Sequence, residues 1–152
     1  MKPYSDSTPD GYLPFGIFGG AVAAVLAAIV WAAIAAATNY EIGYMAVGVG
    51  FVVAYAVRLC GRGHGRAYAI SAAVLALLGC LLGNFLADCA VAANQNHVSV
   101  LFAVAALAPH FARVISDGFS AMDLVFYVMG AYFGYRYATV PLRAQGRPIP
   151  PV

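Results

Sequence analysis

Charge is what this chain has least of. Only 9% of its 152 residues are Asp, Glu, Lys or Arg, against about a quarter in an ordinary soluble domain. So few charges cannot solvate the surface of a globule this size, which excludes a soluble domain and leaves lipid as the solvent. Cysteine is scarce too. Cys60, Cys80 and Cys89 form no C-x-x-C pair and are odd in number, so neither a disulfide framework nor a zinc site is expected. Eight cations spread thinly along the chain exclude a nucleic-acid face. The motifs of hydrolytic and nucleotide chemistry are missing as well. No G-x-S-x-G, H-E-x-x-H, P-loop or dinucleotide pattern occurs, and His64, His97 and His110 stand in separate segments. No catalytic residue, metal or cofactor is expected.

What the chain has instead is apolar length. Apolar residues make up 63% of it, and the mean hydropathy is +0.83. A helix crossing a bilayer needs about 20 consecutive apolar residues. Four runs qualify, at 13–37, 42–59, 67–88 and 121–139. The expected fold is therefore an all-α membrane protein, a four-transmembrane-helix bundle over 13–140. Residues 1–12 and 141–152 are expected to be mobile cytoplasmic tails, and the first run with its acidic leader (Asp6, Asp10) is a poor signal peptide.

The stretch 98–116 is apolar only as far as Ala108, and Pro109, His110 and Arg113 follow. Eleven residues are too few to span, and the proline would kink or break the helix. The pattern predicts an interfacial helix between the third and fourth spans, with Leu101, Val104, Leu107, Phe111 and Ile115 toward lipid or the bundle. Charge placement supports this count. With four spans, Lys2, Arg58, Arg62, Arg66, Arg136, Arg143 and Arg147 fall on one side and Arg113 alone on the other. Lys and Arg near span ends resist translocation, so both termini are placed in the cytoplasm.

Helices in lipid associate by close packing, because lipid tails are as apolar as leucine. Small residues recur every fourth position on each run: Gly16, Gly20 and Ala24 on the first, Ala46 and Gly50 on the second, Gly79 and Gly83 on the third, Gly130 and Gly134 on the fourth. Each run thus offers a face that a neighbouring backbone can approach. Packing within the bundle is the simpler use of these faces, a dimer interface the alternative.

Polar groups inside or beside a span mark candidate sites, since each is costly to bury in lipid. Asn84 and Asp88 lie one turn apart on the third run, Asp123 and Tyr127 one turn apart on the fourth, and Glu41 opens the second. All lie toward the outer face, as do His110 and Arg113. Acids at helix N-termini are also what the helix dipole favours, so capping and pairing compete with a cation or proton site as the explanation. On the other side, Arg58, Arg62 and Arg66 around three glycines are a candidate contact for anionic lipid.

The stretches 40–50, 54–58, 76–84, 122–127 and 134–136 resemble a family of small bacterial four-helix inner-membrane proteins that has no established function. The resemblance implies a multi-pass protein of the bacterial cytoplasmic membrane and brings no chemistry with it. Small four-helix multidrug transporters carry an acid within the first span, and this first run has none. The expected role is a non-enzymatic accessory, scaffold or assembly component, with the lipid bilayer and itself or another membrane protein as partners. A small oligomeric transporter or channel using the outer carboxylates is the alternative.

Overall fold

A computed structural model describes residues 12–39, 43–63, 65–118 and 120–139, and all of the regular structure among them is helical. The two expected tails (apart from Tyr12), Glu41 and His64 lie outside the described residues.

Helix α1 spans Leu13–Thr38, with Pro14 in its first turn, where a missing N–H costs no intrahelical bond. It closes on Asn39 in the left-handed conformation. Helix α2 is shorter, Met45–Gly61, and closes on Arg62, also left-handed. Gly65, at φ +128°, makes the turn into α3, and only glycine adopts that angle without strain.

Helix α3 runs Arg66–Asn96, past the apolar run that ends at 88. It also passes Ala93, up to which the sequence allows the helix to continue before the expected break at Gln95-Asn96-His97. No proline or glycine interrupts the sequence between Asp88 and Asn96. The helix stops in a Schellman close, with His97 left-handed and the Val98 N–H donating to the Ala93 carbonyl at 3.0 Å. At ~1.5 Å per residue its 31 residues reach about 46 Å, beyond the ~30 Å hydrocarbon core.

The predicted interfacial helix is two helices. Ser99 caps α4 (Val100–Leu107) by accepting from the Phe102 N–H at 3.3 Å. Pro109 then forces a 3-10 turn over Ala108–His110, and α5 follows at Phe111–Gly118. Helix α6 is Ala121–Thr139. Three stretches are long and apolar enough to cross a membrane: Leu13–Thr38, Arg66–Asn96 and the broken stretch Val100–Asp117. Helix α2 is apolar but shorter, and α6, carrying Asp123, Arg136 and four tyrosines, falls outside that set.

Helices α1, α2, α3 and α6 pack on one another, and their glycine contacts give the directions. Gly20 meets Val57 and Leu75, Gly79 meets Ala24, and Gly83 meets Trp31, so α1 and α3 are parallel with α2 running against α1. Gly130 lies on Ala46 and Cys80, and Gly134 on Ala72 and Ala76, so α6 runs against α3 and alongside α2. The interior is mostly alanine, with Ala28, Ala46, Ala54, Ala69, Ala72 and Ala76 fully enclosed around Val53, Val57 and Trp31. Small side chains let the backbones approach, which is how attraction accumulates where water exclusion is absent. A second cluster, Phe85, Cys89, Ala93 and Ala103, holds α4 and α5 to the far end of α3.

Candidate functional site

Near the middle of α3 the alanine interior gives way to polar side chains. Cys80, Asn84 and Asp88 follow at one-turn intervals on one face, and Tyr127 comes across from α6. The Tyr127 ring is enclosed, and its hydroxyl lies beside Asn84 within electrostatic range of Cys80, Asp123 and Asp88. Asn84 is buried and Asp88 half-buried. The Cys80 thiol points to the Ala46 carbonyl at 3.8 Å, filling the gap beside Gly130. Antiparallel packing of α3 and α6 therefore gathers Asn84, Asp88, Asp123 and Tyr127 into one group.

Asp123 is occupied by its own helix. Its carboxylate accepts from the Ser120 N–H and hydroxyl, both at 2.8 Å, and its N–H donates to the Ser120 oxygen at 3.3 Å. This is a capping box with aspartate in place of glutamate. Ser120→Ala is expected to lower stability by ~1 kcal/mol, the usual loss on removing an N-cap, read from thermal unfolding in nanodiscs. An unchanged melting temperature would show that α6 starts without the box.

His110 and Arg113 do not join the group in the interior. Both are exposed, while Phe111 between them, itself partly exposed, lays its ring at a tilt against Phe85 with centroids 4.9 Å apart. The sequence-level cluster of seven residues thus separates. Four meet at the α3–α6 contact, two lie outside it, and Glu41 lies outside the described residues.

At the other end the three arginines also divide. Arg62 and Arg66 are exposed. Arg58 is 8% exposed and donates to the Tyr137 carbonyl at 2.9 Å. It is in the last turn of α2, and Tyr137 is near the end of the parallel helix α6. Two negative helix ends therefore sit side by side, and the guanidinium lies between them. The sequence shows a cation just before a helix end, but the partner comes from 79 residues away.

Two further anchors had no sequence signature. Asn94 donates to the Ala36 carbonyl at 2.7 Å and to the Asn39 side chain at 3.3 Å, fixing the end of α1 to α3. The Tyr68 hydroxyl donates to the Gly61 carbonyl at 3.2 Å, closing α2. The glycines named from sequence, Gly16, Gly20, Gly50, Gly79, Gly83, Gly130 and Gly134, are all buried at helix crossings, as is Ala24.

Chemically the polar group is modest. Among the described residues no three His, Cys, Asp or Glu side chains converge to hold a metal ion. No serine or cysteine stands beside a histidine base within it. Toward the arginine end the interior is Ala72, Ala76, Val53 and Val57, each fully enclosed and apolar.

No family model, curated protein or solved structure matches this chain. What can be said of its role therefore rests on its own geometry.

Proposed function

We propose that the chain crosses a bacterial cytoplasmic membrane four times, through α1, α2, α3 and α6, and acts there as a non-enzymatic scaffold or assembly component. Both termini lie in the cytoplasm, and α4 and α5 lie in the outer interface. The count is supported by the direction of α6. Because it packs directly on α3 and runs against it, the segment between them starts and finishes on the same side of the membrane. Arg58, Arg62, Arg66 and Arg136 then share the end where α2 and α6 finish, and Arg113 lies at the other. That is the distribution the positive-inside rule favours. Helices α2 and α6, at about 26 and 28 Å by their rise of ~1.5 Å per residue, also suit a ~30 Å core.

The scaffold role rests on one observation, the apolar closure of the interior between the Asn84–Tyr127 group and Arg58. A conducting path through one chain would have to cross the layer of Ala72, Ala76, Val53 and Val57, which offers an ion or proton no polar group. Large apolar side chains such as Phe18, Leu26, Leu124 and Val128 face outward instead, available to lipid or to a partner helix.

Two measurements test this. With Cys60→Ser as background, cysteines placed at Arg66 and at Gln95 are expected to react with an impermeant maleimide from opposite sides of the membrane. Labelling from the same side would refute the four-span arrangement. In proteoliposomes the wild type is expected to carry no proton or monovalent-cation flux. A flux lost in Asp88→Asn would replace the scaffold reading with the transporter one.

A further inference from the structure

The seam between α2 and α6 carries a feature that scaffold packing does not use. Toward the arginine end, Phe51 of α2 stacks on Phe133 of α6 at 5.5 Å and lies tilted against Tyr137 at 4.1 Å. Phe133 is also in edge contact with Tyr132, at 5.7 Å. The Tyr132 hydroxyl in turn accepts from the Arg136 guanidinium at 3.4 Å. The result is one continuous surface, aromatic along its length and cationic at one edge. Phe51, Tyr132 and Tyr137 are all exposed on the outside of the helices, and so is Arg136.

Among the described residues no acid stands at that edge. Among the described residues the acids are Asp88, Asp117 and Asp123, and all three belong to the opposite end of the molecule. Arg58, at the same end, is committed to the Tyr137 carbonyl. Arg136 thus presents an exposed guanidinium beside an apolar aromatic surface, one turn below the end of α6. On the four-span reading, the last turn of α6 lies at the depth of the lipid phosphates. A long arginine stem reaches them while its methylenes stay in the apolar layer, and a guanidinium binds phosphate oxygens through paired N–H donors.

We infer that the cytoplasmic end of the α2–α6 seam is a seat for one anionic phospholipid. Its phosphate rests on Arg136 and the Tyr132 hydroxyl, and an acyl chain lies along Phe133 and Phe51. The orientation follows the four-span reading above, while the binding chemistry needs only that α2 and α6 lie in a bilayer. The charge complementarity selects an anionic lipid over a zwitterionic one. The stacked rings hold the platform at little entropic loss, since each has only two side-chain torsions to fix.

The test uses the full chain in nanodiscs of phosphatidylcholine with and without about a quarter phosphatidylglycerol, read by native mass spectrometry and by melting temperature. Both leaflets carry the same lipid, so the result does not depend on which end faces the cytoplasm, and failure here is separable from failure of the topology experiment. Wild type is expected to retain one phosphatidylglycerol and to melt higher when it is present. Arg136→Gln is expected to weaken that retention about fivefold, the ~1 kcal/mol one surface arginine contributes toward anionic lipid. Tyr132→Phe should weaken it less, and Arg136→Lys should keep part of it. Arg62→Gln, at the same end but off the seam, and Arg113→Gln, at the other end, should leave it unchanged. Retention unaffected by Arg136→Gln, or lost equally in Arg62→Gln, would overturn the seat in favour of diffuse attraction to a basic surface.

Discussion

Gly130→Leu is expected to leave almost no folded protein, and Gly130→Ala to lose about 1–3 kcal/mol of stability, the usual range for overpacking. A Cβ on Gly130 would stand 2.8 Å from the Ala46 carbonyl oxygen and 3.4 Å from the Cys80 sulfur. One on Gly50 would run into the Gly130 carbonyl itself. The obstructing atoms are mainly backbone, which cannot rotate away, so α2 and α6 would have to separate. Separation would also pull the Phe51 ring off Phe133 and the Arg58 guanidinium off Tyr137.

The contrast lies two residues away. Gly48 has nothing within 4 Å of where a Cβ would go, so Gly48→Ala should be neutral or stabilise α2 by up to ~1 kcal/mol through helix propensity alone. Because Gly50→Ala and Gly130→Ala strain the same contact, the double variant should lose less than the sum of the two. Thermal unfolding in nanodiscs reads all four variants. Equal effects at Gly48 and Gly130 would remove the close crossing from the fold.

The second large effect concerns Arg58. Arg58→Leu is expected to cost about 1.5–3 kcal/mol, the range for a hydrogen bond from a charged donor. Arg58→Glu should cost more, because it sets an anion against two negative helix ends. Arg58→Lys should fall between wild type and leucine, keeping the charge but losing the planar fork. On the proposed four-span arrangement the topology should hold in Arg58→Leu, since Arg62, Arg66 and Arg136 remain at the same end of the bundle. Melting temperature together with maleimide labelling at Arg66 separates the two roles. A variant that melts normally but labels from the wrong side would make Arg58 a topology signal rather than a clasp.

Helix positions were largely legible because they depend on local pattern. The bounds of α1 and α6 are within a residue or so of the apolar runs, and Pro109 marked the break between α4 and α5. The end of α3 was partly legible, since Gln95-Asn96-His97 reads as a break, but how far past Asp88 the helix would hold was not. Asp88 reads as a water boundary in sequence, yet the helix continues because Cys89, Ala93 and Phe85 have α4 to pack against. The polar group was half legible. Spacing alone puts Asn84 with Asp88 and Asp123 with Tyr127, but nothing in it says that the two pairs meet while His110 and Arg113 stay outside.

The scarcity of charge and the long apolar runs determined by themselves that the chain has helices suited to lipid. Solvation is a sum over composition, and it needs no knowledge of the fold. The repeated glycines likewise marked which faces could pack, since a missing side chain is a local fact. Which glycine meets which backbone was decided only in three dimensions, as were the use of Arg58 as a clasp on Tyr137 and the meeting of Tyr127 with Asn84. These contacts join residues tens of positions apart, and their partners follow from helix direction and depth, which no single apolar run encodes.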